Sequence, residues 1–299
     1  MRHLTILLFL SLVFFWGGTS YAENSSESPF PEWTKNKLIA HAFGSGVSGE
    51  SYTNSYESFV INYAMGQRVF EVDLSLTSDN NLVARHDWST FFNEYLQQKA
   101  PEGHGENPWS KEEFMSQKIM NKYTPMDITR IMELMRQFPD MYIVTDTKET
   151  QSNLVRQQFQ IIVSAANHDP ELLNRVIPQI YNQGMLDDIK SIYDFHNIIY
   201  TLYMSPDTNE QVIEFVKKQN IKVITLPIQR ADSKFLKDLK DNGVLSYVHT
   251  INSLRDLKNH EMNGVYGFYT DAITPRLLQY EQSASKVLND LLQGFHINN

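Results

Sequence analysis

The sequence predicts a single-domain (β/α)8 TIM barrel with an insertion after its third strand, and three observations carry that prediction. Short apolar runs of strand length alternate with helical patterns eight or nine times from residue 37 onward, the signature of strands joined by crossover helices. No break in composition divides the 299 residues, a length that one barrel-sized domain fills. The conspicuous ionisable residues fall near the ends of the strands, the face on which such barrels build their sites. An open doubly wound sheet is the alternative.

Taken in order, residues 1–22 read as a secretory signal: Arg2 and His3 form a short positive start, 4–16 are apolar, and Ser20-Tyr21-Ala22 offers small residues for cleavage. An exported protein, secreted or held in the cell envelope, is therefore expected. The chain has no cysteine, which excludes disulfides and thiolate metal sites. Residues 23–36, rich in Ser, Glu and Pro, read as a linker, and 37–299 as the barrel. A first strand over 37–43 leads through a Gly/Ser loop to a helix capped by Asn54 or Ser55 and closed by Gly66. Strands follow at 69–77 and 82–87. The stretch 88–123 is polar and aromatic, with two prolines and two glycines, and is long enough to be a lid or a substrate-selecting insertion. Helices are expected at 126–137, 154–166, 185–193, 209–219, 234–242 and 253–259. Strands are expected at 141–148, 176–181, 198–203, 223–227, 245–250 and 265–270.

Charge narrows the partners. With 26 Lys and Arg against 35 Asp and Glu, the formal charge is −9, which argues against a surface for nucleic acid, whose phosphates need clustered cations. The aromatics of the insertion, Trp88, Phe91 and Phe92, suit a cover over the barrel top or a contact with lipid or envelope material.

The chemistry concentrates in 38–88. Strand alternation puts Glu71 and Asp73 on one face, with Val72 and Leu74 on the other. Two carboxylates side by side repel unless a cation or a shared proton joins them. If the three strands are parallel neighbours, His41 and His86 stand near the same spot. Asp146 and Lys148 likewise share a face at the end of an apolar strand. Carboxylates between imidazoles are the equipment of metal-assisted acid/base chemistry, and the oxygen donors Glu71, Asp73 and Asp146 suit Ca²⁺, Mg²⁺ or Mn²⁺. The structural alternative pairs Glu71 and Asp73 with Arg68, Arg85 or Lys148. Asp79 and Asp87 read as turn or cap residues, with Asp87 placed to orient His86. Gln179, Tyr181, His249 and Tyr269 fall where later strands would line the lumen.

The ordered set of a histidine closing the first strand, Glu71-x-Asp73, the Thr77-x-Asp79 element, His86-Asp87, Asp146-Thr147-Lys148 and the final stretch GVYGFYTDAITP resembles the glycerophosphodiester phosphodiesterase family, within the phosphatidylinositol-specific phospholipase C-like superfamily. The resemblance spans most of 37–275. It implies a TIM barrel that cleaves phosphodiesters with a divalent cation, His41 as base and His86 as acid, and attack by an adjacent hydroxyl through a cyclic phosphate. It also implies substrate contacts from Lys148 and Asn54; Gln179 is a further candidate. The chain departs from the family where His-Arg-Gly becomes His41-Ala42-Phe43-Gly44, where Glu-Asn-Thr becomes Thr53-Asn54-Ser55, and where Asp146 replaces the usual Glu. The last departure and the missing arginine resemble the sphingomyelinase D branch. A barrel that binds an envelope phosphate without turnover, and a carboxylate-only glycosidase, are the other readings.

Overall fold

The structure is a computed structural model that describes residues 28–296; the predicted signal lies outside the described residues. Eight parallel strands close into a barrel: β1 (Leu38–Ala40), β2 (Val69–Leu76), β4 (Tyr142–Asp146), β5 (Val176–Ile180), β6 (Ile199–Thr201), β7 (Val223–Pro227), β8 (Leu245–His249) and β9 (Gly267–Thr270). β1 closes it by pairing with both β9 and β2. The surrounding helices are α1 (Tyr56–Ala64), α4 (Ile128–Gln137), α5 (Ser152–Ala165), α6 (Pro170–Leu173), α7 (Gln183–Lys190), α8 (Asn209–Gln219), α9 (Ser233–Asp241), α10 (Leu254–Met262) and α11 (Pro275–His296). No described helix is long and apolar enough to cross a membrane.

The alternation of each strand divides its side chains between two layers. Val69, Val144, Ile177, Ile199, Val223, Leu245 and Tyr247 fill the barrel interior. Phe70, Val72, Leu74, Ile143 and Ile180 pack outward against the helices. The Tyr247 ring lies over Gly267, its register partner on the neighbouring β9, where a Cβ would stand 2.3 Å from the ring; only glycine leaves that space open. α4 is held by the cap that its sequence advertises, Asp127 accepting from Arg130 N at 2.8 Å, and buries Ile131, Met132 and Met135 on one face.

Three expectations need correction. The strand at 82–87 is shorter, β3 (Leu82–Ala84), and it is not a barrel strand: it runs antiparallel to the far half of β2, with Leu74 opposite Ala84. A turn of only five residues joins the two, too short for the crossover that parallel neighbours require. Residues 31–36 do not belong to a linker. Glu32–Lys35 form a 3-10 turn, and Trp33, 1% exposed, plugs the barrel floor against Tyr247. The first strand stops at Ala40, because His41–Phe43 coil into a tight turn with Ala42 at φ 49°.

The insertion carries structure of its own. α2 (Thr90–Tyr95) and α3 (Lys111–Met115) enclose a separate core of Trp88, Phe92, Leu96, Trp109, Phe114, Ile119 and Tyr123 built on Val83. Arg85, 1% exposed, lies at its centre.

Candidate active site

Register places the acids. Asp73 on β2 stands opposite Asp146 on β4, and Glu71 lies one inward position below Asp73. One oxygen from each of the three falls within 4.8 Å of the others. Their second oxygens are tied down. Glu71 Oε2 accepts from the Ala42 backbone N–H at 2.6 Å, and Asp73 Oδ2 accepts from Asn54 Nδ2 at 2.8 Å. Asn54 also accepts from Asp73 N, at 3.1 Å, so it holds a carboxylate and leaves the helix cap to Ser55. The opposite oxygens, Glu71 Oε1 and Asp146 Oδ1, are buried without a hydrogen bond. Lys148 Nζ lies 2.8 Å from Asp73 Oδ1, without the angles of a hydrogen bond, and also bonds Asp146 Oδ2.

The two histidines are each oriented by an acid. His41 Nδ1 meets Asp271 Oδ1 at 2.8 Å, leaving Nε2 4.0 Å from Glu71 Oε2. Asn252 donates to the other oxygen of Asp271 at 2.7 Å, making a relay of three. His86 Nδ1 meets Asp87 Oδ2 at 2.8 Å, and its ring stacks on Phe92 at 4.3 Å and 18°. In both cases the Nδ1 partner fixes the ring and frees Nε2. His41, Glu71, His86, Asp146, Lys148, Gln179, Tyr181, His249 and Tyr269, all marked from the sequence, line one cavity of about 320 Å³. Gln179 accepts from Tyr269 Oη at 3.0 Å on its wall.

Charge in this cavity is out of balance. Burial and the neighbouring Asp73 push Glu71 up to about 8, against the pull of His41. Burial would raise Asp73 too, but Lys148 and the two histidines hold it down at about 2. Burial, foremost, raises Asp146 despite Lys148. Burial works against a charge on His41, yet Glu71 and Asp271 raise it to about 9. His249 is driven the other way, to about 4, by burial and by the charges of His41 and Lys148. Three converging acids, each with a buried oxygen that accepts no hydrogen bond, fit a hard divalent cation. Glu71, Asp73 and Asp146 would hold it, with Lys148 supplying part of the compensation in its absence.

Backbone strain gathers here as well. Ala42, Phe43, Tyr52, Asn54 and Lys148 are all non-glycine residues with φ between 47° and 65°, a region that costs of order 1 kcal/mol or more per residue and clusters at functional sites. Gly44, at φ 82°, ends the His41 turn, and a Cβ there would stand 2.5 Å from Asn62 Nδ2. That amide donates to the carbonyls of Phe43 and Ser45 and so anchors the turn.

Two residues that meet His41 or His86 directly escaped the sequence reading. Asp271 lies within the quoted final stretch, and its place one residue beyond the last barrel strand was the available signal. Tyr52 carries no such mark, because only the folded loop brings its ring against both histidines, 4.9 Å from His41 and 5.6 Å from His86 between centroids. Of the structural pairings considered, Arg68 bonds Asp140, and Arg85 lies inside the insertion; only Lys148 reaches the acids.

The comparisons fall on the same barrel. The model of the glycerophosphoryl diester phosphodiesterase family matches residues 45–274. A solved glycerophosphodiester phosphodiesterase from Parabacteroides distasonis is 17% identical, with a TM-score of 0.65 over 84% of this chain and 98% of that one. A phosphodiesterase from Oleispira antarctica, solved with the product sn-glycerol-3-phosphate, is 16% identical, with a TM-score of 0.62 over 84% and 96%. A glycerophosphodiester phosphodiesterase from Thermotoga maritima is 15% identical, with a TM-score of 0.60 over 83% and 97%. No curated protein matches. Identities this low speak for the fold alone, but the family match runs through the loop of Asn54, both acids of β2, His86, Asp146, Lys148 and Asp271. The chain belongs to the glycerophosphoryl diester phosphodiesterase family.

Proposed function

We propose that the protein is an exported, metal-dependent phosphodiesterase that cleaves glycerophosphodiester-like bonds by acid/base catalysis between His41 and His86. The observation that carries this reading is the pair of acid-tethered imidazoles flanking three convergent carboxylates in one cavity. A divalent cation bound by Glu71, Asp73 and Asp146 would supply Lewis-acid stabilisation of charge on the phosphate; Ca²⁺ and Mg²⁺ suit these donors, as does Mn²⁺.

The chain's own groups divide the rest of the work. His41, held at Nδ1 by Asp271, takes the proton of the nucleophile at Nε2, and becomes a competent base once the negative charge that raises it is offset. His86, held by Asp87, gives its Nε2 proton to the leaving oxygen. Asn54 keeps Asp73 in place through two hydrogen bonds. Lys148 lies beside the acids, where it can also meet a phosphate oxygen. The nucleophile is a neighbouring substrate hydroxyl, with a cyclic phosphate as the first product. The small cavity admits the head of a phosphodiester, and Gln179 and Tyr269 line its wall.

A lipid-linked substrate is the second reading. It is favoured by exposed apolar side chains on α2 and on the loop after β6: Phe91 at 66%, Tyr203 at 65% and Met204 at 69%, the last two lining the cavity itself. A phospholipase related in action to the sphingomyelinase D branch would use such a rim. Incubation with glycerophosphocholine, lysophosphatidylcholine, sphingomyelin and teichoic-acid fragments, followed by phosphorus NMR, separates these substrates and detects a cyclic product. Turnover that survives both EDTA and His41→Ala would overturn the mechanism. Binding without turnover would leave a phosphate-binding barrel.

A further inference from the structure

The part of the cavity wall between the two histidines is made by a side chain that has no role so far. Tyr52 meets His41 edge-on at 4.9 Å and His86 edge-on at 5.6 Å, with interplanar angles of 83° and 81°. Phe92 and Tyr95 back it at 5.6 and 6.4 Å. The ring is thus clamped from several sides, at a backbone φ of 57° that tyrosine adopts only under constraint. Any group that lies between the two imidazoles must also lie against Tyr52.

The hydroxyl is the distinctive part. Around the same mouth, Tyr95 Oη bonds Ser51, Tyr123 Oη bonds Glu50, Tyr181 Oη accepts from Lys148 N, and Tyr269 Oη bonds Gln179. Among the described residues no hydrogen bond ties the Tyr52 hydroxyl, although the residue lines the cavity. The charged donors are distributed unevenly as well. Lys148 sits on the Asp73 and Asp146 side, and the turn after His41 brings no charged side chain to the cavity, since Ala42 there is wholly buried. A phosphodiester seated between the histidines has two non-bridging oxygens. One faces the carboxylate and Lys148 side. The other has no donor from the His41 turn.

We propose that the Tyr52 hydroxyl donates a hydrogen bond to that second non-bridging oxygen, making Tyr52 a substrate-binding residue of this site. The inference rests on the phosphodiester reading of the cavity. Its donor is neutral and fixed by ring packing, so it orients the phosphate between His41 and His86 without adding to the cation count of the site.

The test is Tyr52→Phe, which keeps the ring and its packing and removes one oxygen. Two measurements are made with the full-length mature protein: kcat/KM on glycerophosphocholine across pH, and calorimetric binding of sn-glycerol 3-phosphate. The expected result is a loss of about 10- to 100-fold in kcat/KM, the size of a hydrogen bond to a charged group. Binding weakens about 10-fold, while the thermal midpoint and the shape of the pH profile stay as in the wild type. A merely structural role would move the thermal midpoint instead. A turning-over wild type with an equally active and equally binding Tyr52→Phe overturns the inference and leaves the phosphodiesterase reading standing. A wild type that fails to turn over but binds the phosphomonoester in a Tyr52-dependent way does the reverse. A wild type that neither binds nor turns over overturns both.

Discussion

Arg85 in the insertion and Lys148 at the barrel mouth are two cations held in opposite ways. Arg85 is sealed at 1% exposure and meets no carboxylate. Its guanidinium donates to Asp87 O, Gln98 Oε1 and Asn93 Oδ1 at 2.5 to 2.6 Å and lies over Trp88, Trp109 and Phe114 at 4.9 to 5.9 Å. Burial lowers it only to about 10, so it stays charged at any working pH. The Lys148 side chain is 32% exposed, yet its ammonium lies between two acids with a third nearby. One centre is complete in itself, with a neutral oxygen on each of the three guanidinium nitrogens. The other is a cation short, and opens onto a cavity. A charged group that is fully satisfied by neutral partners is architecture; a cluster whose charges do not cancel waits for something from outside.

The largest effects separate the two centres by what they damage. If the proposed cation binds these acids, Glu71→Gln or Asp73→Asn should reduce turnover by about 10³-fold or more, because one of its ligands is lost. In the metal-free protein Asp73→Asn should cost stability, since Lys148 and the two histidines favour its carboxylate despite burial, whereas Glu71→Gln should stabilise it by about 1 kcal/mol, since it removes a buried carboxyl that burial and Asp73 disfavour. Steady-state rates beside urea unfolding in EDTA check both halves. Unfolding at lower urea in Glu71→Gln would contradict the crowding inferred here.

Arg85→Met is expected to do the opposite. It leaves the amide oxygens of Asn93 and Gln98 and the Asp87 carbonyl without a donor inside an apolar core, at a cost of about 3 kcal/mol. The fraction that remains folded should keep most of its metal affinity, because Asp73 meets Arg85 only through its backbone carbonyl, while its carboxylate is held by Asn54 and Lys148. His86 follows Arg85 directly, so kcat falls with the loosening of the acid while cation binding does not. Calorimetric titration with Mn²⁺ beside thermal unfolding distinguishes the two.

A smaller effect, in pH, tests the charge deficit directly. Glu71 is raised from an ordinary 4.5 to about 8, so the folded state binds more protons than the unfolded one between those values, and stability falls as pH rises through them. His41 adds to the fall, since its stabilisation is complete below 6.5 and is lost as pH rises through about 9. Asp73, held at about 2, contributes above its ordinary 3.8 and is lost only in acid. Metal-free protein should therefore be most stable near pH 4 to 5 and lose stability steadily as pH rises toward 9. Saturating Mn²⁺ should flatten the slope, and so should Glu71→Gln. Arg85→Met should lower the whole curve without changing its shape.

The two regions also differ in how far the sequence revealed them. The acids of β2 and β4 were legible because strand alternation converts spacing into facing, and Glu71, Asp73 and Asp146 needed no more than that. His86 was placed at the site for a partly wrong reason, since its strand is an antiparallel hairpin partner and not a barrel neighbour. The histidine still arrives because the hairpin returns along β2 to the same end. Asn54, marked as a substrate contact or helix cap, turned out to grip Asp73. The insertion was legible only as a long stretch of aromatics and polar residues. Its core depends on contacts between residues 83 and 123 that no local period encodes, and Arg85, inside a run that reads as a plain strand, gave no sign that it would be wrapped by indoles. The plug made by Trp33 was hidden likewise, because a Ser- and Pro-rich approach looks like a tether until one aromatic finds the barrel floor.

The smallest expected effect concerns the rim, where the insertion meets the mouth. Phe91 is 66% exposed on α2 and stacks with Tyr95 at 6.0 Å and 13°, while its neighbour Phe92 turns inward to support His86. Successive residues of one short helix thus face water and the His86 ring. Phe91→Ser should leave unfolding unchanged, because an exposed ring gives up little on replacement. Turnover of soluble glycerophosphocholine should stay within about twofold, since Phe91 does not line the cavity. If the rim receives an acyl chain, KM for micellar lysophosphatidylcholine should rise about 3- to 10-fold, the worth of losing one apolar contact of side-chain size. Equal KM values on the micellar substrate would confine recognition to the head group inside the cavity, and would make the insertion an architectural neighbour of the site, contributing the orientation of His86 and nothing to the grip on the lipid.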